Sequence, residues 1–308
     1  MARTSTQFKR TSRQIPFAES ASTVDSPIMF PVGVRKVAWT GRDGTGYDIG
    51  SHRALVRLTQ DGTRATVLNV VTDSYKLVHN RELFGQLNES ITRVVSDELL
   101  HNAYCVDEAS HGGRSCVRQY VFPSMRCIVH DNVSQIAFRL IVQNGYGGSA
   151  LRLHAGAIDF FCTNGMIRGE YESMYRRHTS GLEIVNAVDV VTQAIATFTS
   201  ASRVWADWSA RRAERNATIA MFRSFAGSDT LYEKLTNQWL VEREARGNTL
   251  WAAYSTLTHY ASHVEDGEFA MRGGDPDNGS ATRLSRELAV TKFVQSDEWK
   301  KLEQHEVA

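Results

Sequence analysis

Ten histidines and four cysteines have the widest chemical range in this chain, and their spacing narrows it quickly. His259 and His263 stand at i, i+4, which puts both rings on one helical face where a metal could bind. The text between them, Tyr260-Ala261-Ser262, lacks the Glu of a His-Glu-x-x-His base, and no third ligand is spaced to join them. Cys105, Cys116, Cys127 and Cys162 contain no Cys-x-x-Cys pair of the kind zinc uses, so they read as free, mostly buried thiols of a reducing compartment. Ser149 follows Gly147-Gly148 but is not framed as Gly-x-Ser-x-Gly. Asp73, Asp107, Asp131 and Asp159 show no pairing by spacing. The string Gly41-Arg42-Asp43-Gly44-Thr45-Gly46 lacks the Lys-Ser/Thr of a phosphate loop and reads as a mobile loop. The expectation is a protein without catalytic residues, metal or cofactor.

Binding chemistry is better represented. Lys76 and Arg81 flank the entry to a helix, Arg139, Tyr146 and Arg152 surround the Gly-rich turn Gly145–Gly148, and Arg168 follows the next turn. Arg and Lys neutralise phosphates, while a tyrosine, Tyr146 or Tyr75, can stack on a base of any identity. Thirty-five basic against 34 acidic side chains give a net charge of +1, which excludes a bulk polycation and leaves room for a local basic groove.

These residues depend on a scaffold whose periodicity is readable. Arg53 to Thr59 and Ala65 to Val71 alternate with period two around Asp61-Gly62, a hairpin signal. Leu83, Phe84, Leu87 and Ile91 then fall on one helical face, with Asn80 placed to cap it. Short strands follow from Ala103 to about Gly169, with turns at His111-Gly112-Gly113, Asp131-Asn132, Gly145–Gly148 and Thr163-Asn164-Gly165. Within them Ile136, Phe138, Leu140 and Val142 alternate with Ala137, Arg139, Ile141 and Gln143, predicting one buried face and one that can be polar. Ile184, Val188, Val191, Ile195 and Phe198 form the apolar stripe of a helix over 182–205, continuing past Trp205 and Trp208 toward Met221. Leu231, Leu235 and Trp239 open another helix, and Leu250, Tyr254, Leu257 and Ala261 a third.

The order strands, helix, strands, helices predicts an α+β fold: one predominantly antiparallel sheet in the N-terminal half, packed by helices from the C-terminal half. Residues 1–30, with Arg3, Lys9, Arg10 and Arg13 ahead of the first acid, Glu19, read as a flexible basic arm. Residues 31–265 read as a single domain, with sheet and helix over 50–170 and a helical part over 180–265; residues 266–308 read as loop and tail. No apolar run approaches the ~20 residues of a membrane span, and no leader is visible, so a cytoplasmic protein is expected.

Three segments resemble the phage/plasmid-like family catalogued as domain of unknown function 932. They are Asp73-Ser74-Tyr75-Lys76-Leu77-Val78-His79-Asn80-Arg81-Glu82-Leu83-Phe84, Asn144-Gly145-Tyr146-Gly147-Gly148-Ser149 and Cys162-Thr163-Asn164-Gly165-Met166. Gly247-Asn248-Thr249-Leu250-Trp251-Ala252-Ala253-Tyr254 resembles that family's C-terminal part. Tyr75, Asn80, Asn144, Cys162, Asn164 and Gly165 are the motif positions carried over; an acidic residue often found in the family's Gly-rich turn is here Gly147. The resemblance implies a phage, prophage or plasmid setting, and supplies no catalytic residues. Joined to the basic and aromatic turns, it leads to the expectation of a single-stranded DNA-binding protein of annealing or recombination, acting as a homo-oligomer. The alternatives are an interaction protein that counters a host defence or restriction system, with a host protein as partner, and a nucleic-acid enzyme whose site is assembled from distant residues.

Overall fold

The computed structural model describes residues 14–21, 26–58, 65–148, 150–167, 187–271 and 278–304. Within them, strands β1 (Gln14–Pro16), β5 (Tyr104–Ser110), β6 (Ser115–Cys127), β7 (Ile136–Gly145), β8 (Arg152–Asp159) and β9 (Asn164–Ile167) form one antiparallel sheet in that order. Strands β2 (Val32–Thr40), β3 (Gly46–Leu58) and β4 (Ala65–Thr72) form a second. The α+β expectation holds, with antiparallel strands mostly in the N-terminal half and helices from the C-terminal half packed on them. The single sheet is divided in two, because β4 leads into helices α1 (Asn80–Val94) and α2 (Asp97–Leu100) and the next strands start a separate ladder. The expected Asp61-Gly62 turn lies outside the described residues.

Alternation along β7 decides how the larger sheet is covered. Ile136, Phe138, Leu140 and Val142 are at most 1% exposed and join a core with Leu83, Phe84, Leu87 and Ile91 of α1. Side chains of this size contribute roughly 1.5–3 kcal/mol each when fully buried. The opposite face, expected to be one that can be polar, is buried as well at Ala137, Arg139 and Ile141. Arg139 and Ile141 lie beneath α7 (Gly279–Phe293), where Glu287 meets Arg139 and Leu284 packs with Val117, Ile141 and Ile167. Asn80 was expected to cap α1, but its carboxamide turns inward and donates to Ile28 O at 2.7 Å.

Helix α3 is described over Ala187–Ala210 and runs past the 205 expected for its end, while residues 182–186 of the predicted span lie outside the described residues. Val191 and Phe198 of its expected stripe are buried, Val188 and Ile195 are half-buried, and Ile184 lies outside the described residues. Ala187, Ala194 and Ala201 complete the buried face, letting the helix approach α1 closely. Val191→Asp places a carboxylate at a position that is 0% exposed, which costs several kcal/mol. The variant is expected to lose cooperative thermal melting; a wild-type midpoint would show that this stripe faces solvent.

The helix does not run on to Met221. It stops at Ala210, Arg212 bridges to Thr249, and a new helix, α4 (Arg215–Ala226), begins under a cap from Glu214 to the Ala217 N–H at 2.6 Å. Helices α5 (Asp229–Arg246), α6 (Leu250–Ser262) and α8 (Asp297–Gln304) follow.

Both expected chain ends need correction. Residues 1–13 and 22–25 lie outside the described residues, but Gln14–Pro16 pair with β5, and Ile15 is buried. The expected C-terminal loop and tail instead holds α7 and α8, with Trp299 0% exposed. Among the described residues, no helix is long and apolar enough to cross a membrane.

Candidate nucleic-acid interface

The motif residues of the first two segments meet at the start of α1. Asn144 Nδ2 donates to Asn80 Oδ1 at 2.7 Å and to Val78 O at 3.2 Å. The Asn80 N–H donates to Tyr146 Oη at 3.2 Å, and Tyr75 Oη donates to Gly145 O at 3.4 Å. Tyr146 is 0% exposed and packs on Phe30 with ring centroids 5.9 Å apart. Burial raises the pKa of both tyrosines, so each stays a neutral hydroxyl. This is a polar clamp joining β7 to α1, and Tyr146 has no face left for a base.

Among the described residues, the expected basic groove does not assemble. Arg139 is 2% exposed; it donates to Glu287 Oε2 at 2.6 Å and to Gln119 Oε1 at 3.0 Å. It lies on the face of β7 opposite Asn144, so it shares no surface with the clamp. Arg152 is half-buried on the same side as Arg139, and Arg168 lies outside the described residues. Lys76 and Arg81 are exposed. The alternating pattern that made Arg139 look solvent-facing is satisfied by α7 rather than by water.

The third segment opens at a buried ionic cluster. Arg246 donates to Asp159 Oδ2 at 2.8 Å and to Glu242 Oε2 at 2.5 Å, and lies 3.5 Å from Asp131 Oδ2. These four side chains are at most 4% exposed. Cys162 Sγ lies 3.4 Å from Arg246 Nη2 and 3.5 Å from Asp159 Oδ2. Burial, and next the Asp159 charge, push the Cys162 thiol well above its ordinary range, so it is not held as a thiolate nucleophile. His259 stacks on His263 at 4.0 Å between centroids, and burial, then His263, push it down to about 3, keeping it neutral. Among the described residues, no group of three or more His, Cys, Asp or Glu side chains is placed to hold a metal ion.

Beyond Cys162, the string works as a joint. Thr163 sits at φ 58, a left-handed conformation that is costly for a β-branched residue. From that turn Asn164 Nδ2 donates to Ser255 O at 3.2 Å, and the Gly165 N–H donates to Ser262 Oγ at 2.7 Å, tying β9 to α6. A Cβ on Gly165 would collide with the Glu287 carboxylate and the Arg139 guanidinium, so glycine keeps room for their ion pair.

The exposed chemistry is elsewhere, on β2 and β3. Residues Gly46–Arg53 of β3 are all exposed, as is most of β2 from Val34 to Thr40, so the two strands project as a ribbon. Trp39 and Tyr47 are cross-strand partners near its tip, 58% and 50% exposed, with rings 5.3 Å apart and inclined by 29°. The tip turn is Gly41–Gly46, closed by the Gly41 N–H to Thr45 O at 2.8 Å and by Asp43 accepting from the Thr45 N–H at 3.0 Å. Those bonds from Thr45 lower the Asp43 pKa, so the carboxylate stays engaged with its own turn. The ribbon sequence carries Arg35, Lys36, Arg42, Arg53 and Arg57 against Asp43 and Asp48. Arg57 is held at the base over the Phe30 ring at 4.2 Å, and Arg53 reaches Asp73 at 2.6 Å.

The Gly41–Gly46 string, expected to be a mobile loop, is the tip turn of this ribbon, and Trp39 and Tyr47 beside it are functional candidates outside the expected set. The available signal was their placement on either side of a glycine-rich turn, which in a hairpin makes them neighbours.

A family model described as a domain of unknown function (DUF932) matches residues 67–298. No curated protein and no solved structure matches the chain. The matched stretch starts within β4, so the whole ribbon precedes it.

Proposed function

The chain belongs to the DUF932 family, whose description leaves its activity open, and we propose that this member binds single-stranded DNA through the β2–β3 ribbon, in the service of strand annealing or recombination. The observation that carries this reading is the exposed Trp39–Tyr47 pair on a ribbon rich in arginine and lysine. Two aromatic faces offer stacking that tolerates any base, worth about 1–3 kcal/mol per base. Arg35, Lys36 and Arg42 supply phosphate contacts whose strength falls with salt. Because the ribbon precedes the matched stretch, the reading rests on this chain's own residues. Annealing would call for several copies along one strand, as the expected homo-oligomer provides.

Trp39 makes the test specific. Of six tryptophans, the other five (Trp205, Trp208, Trp239, Trp251 and Trp299) are at most 1% exposed, so quenching by a bound base reports on Trp39. Titration with oligothymidylate at low salt is expected to quench the emission. Trp39→Ala is expected to weaken binding by about 1–3 kcal/mol with little change in salt dependence. Arg35→Ala and Arg42→Ala should each lower the slope of log K against log salt by about 0.7. A folded wild-type protein that binds no oligonucleotide of any length at low salt would overturn the proposal and favour a host protein as the ribbon's partner.

A further inference from the structure

Each sheet has two edge strands, and among the described residues three of the four edges carry features that discourage pairing with another chain. Strand β1 is three residues long and ends in Pro16. Strand β9 is four residues long and is flanked by α6 and α7. Strand β2 presents Arg35 and Lys36 and has a register shift between Lys36 and Ala38. Short length, proline, charge and bulges are the usual protections of an edge.

Strand β4 has none of the first three. Its eight residues, Ala65-Thr66-Val67-Leu68-Asn69-Val70-Val71-Thr72, include no charge and no proline. It pairs with β3 on one side and with no strand on the other, among the described residues. Its bulge serves a different end. The register shift opposite Leu55 and Val56 leaves Leu68 without a partner, so Val67 (opposite Val56) and Val70 (opposite Ala54) share a face although three residues apart. Both are about half exposed, at 52% and 48%. The Val70 N–H is met by Asn69 Oδ1 at 2.9 Å, a side-chain substitute for the carbonyl of a neighbouring strand.

We propose that β4 is the docking edge for a second copy of this chain, paired antiparallel about a two-fold axis perpendicular to the sheet. The strand is self-complementary in that arrangement: Val67 lies opposite the partner's Val70, Thr66 opposite the partner's Val71, and Leu68 opposite the partner's Asn69. Such a contact is isologous and closes at two copies. Charge selects this occupant. The seam brings no ionic group against another, and Arg53 on β3 is separated from its symmetry mate by three strand spacings, about 14 Å. That exceeds the screening length of about 8 Å at physiological salt. Pairing β4 to a β2 edge instead would bring Arg35 and Lys36 to the seam. The two-fold arrangement gives a six-strand sheet in the order β2-β3-β4-β4-β3-β2, with a ribbon from each copy. It does not depend on what the ribbons bind.

The test uses the whole protein without nucleic acid. Light scattering at micromolar concentration is expected to give twice the 34.5 kDa chain mass. Val70→Lys is expected to weaken the dimer roughly 100-fold, about tenfold for each of its two symmetry-related copies. Its melting should stay close to wild type, since the side chain is half exposed. Cross-strand partners are near enough for a disulfide, so oxidised Val67→Cys/Val70→Cys should yield a covalent dimer while neither single variant does. The native thiols give little background, because Cys105, Cys116 and Cys127 are buried and the half-buried Cys162 has its sulfur against Asp159 and Arg246. A monomeric wild type, or a dimer indifferent to Val70→Lys that fails to cross-link, would overturn the proposal. Neither outcome bears on oligonucleotide binding, which is measured separately.

Discussion

Arg246→Met is expected to leave little folded protein at neutral pH. The substitution keeps most of the aliphatic bulk but removes the cation shared by Asp159, Glu242 and Asp131, each at most 4% exposed. Breaking a buried ion pair by removing one partner costs about 3–5 kcal/mol, because the other charge is left without compensation. Here three carboxylates lose the same partner, against a total stability of about 5–15 kcal/mol for an ordinary protein. Soluble yield and thermal melting check the result, and a fall of about 10 °C or more in the midpoint is expected where protein can be recovered. A variant melting within a few degrees of wild type would show that the carboxylates find other compensation. Arg246→Lys separates charge from geometry: it restores the cation without the planar fork that bonds Asp159 and Glu242 together, and should recover part of the loss.

Acid is expected to unfold the protein through two histidines. His154 on β8 is 9% exposed, and among the described residues neither ring nitrogen has a hydrogen-bond partner. Burial, then Arg152 and Arg139, push it down to about 4. His259 is pushed down to about 3. Both are neutral when folded and take up a proton near pH 6.5 when unfolded, so below that pH the unfolded chain binds more protons. Their stabilising contribution is present above pH 6.5 and is lost as pH falls toward the folded values. Each histidine contributes a slope approaching 1.4 kcal/mol per pH unit. Glu242 acts in the other direction. Burial raises its pKa against the opposing pull of Arg246, so its contribution is full below the ordinary carboxylate value and is lost as pH rises through the folded one. The urea midpoint should therefore fall with a slope that builds as pH drops below 6.5, offset in part by Glu242 as it takes up its proton. His154→Leu and His259→Phe should each remove close to half of the early slope; an unchanged slope in both would show that other groups govern acid unfolding.

What could be read in the chain follows from which contacts are apolar. The α1 stripe Leu83, Phe84, Leu87 and Ile91 and the even face of β7 are legible because large aliphatic and aromatic residues repeat at the period of their element. The glycine turns are legible for the same local reason: Gly112 and Gly113 sit at positive φ, as does Asn132. The buried faces made of charge were not. Arg139 with Glu287, and Arg283 with Glu108 and Glu265, look in sequence like solvated surface, and only the fold makes them partners. That misplaced Arg139 in a groove and left α7 within an expected loop and tail. Alanines Ala187, Ala194 and Ala201 escaped because a small residue announces neither face. Trp39 and Tyr47 are hard to read because the glycines between them signal a turn and carry no sign of the aromatic pair it brings together.

The lid that α7 places over the sheet has a consequence for the order of events at the ribosome. Arg139 waits for a partner 148 residues downstream, and Glu108 for one 175 residues away. At about 5–20 residues per second, translation leaves the Arg139 guanidinium without its carboxylate for on the order of ten seconds. The apolar face of β5–β8 can collapse early onto α1 and α3, while the charged face cannot close until Glu287 has emerged. A nascent chain arrested before Gly279 would hold a half-covered sheet, and completion is a late, long-range step of the kind that sets a slow folding rate.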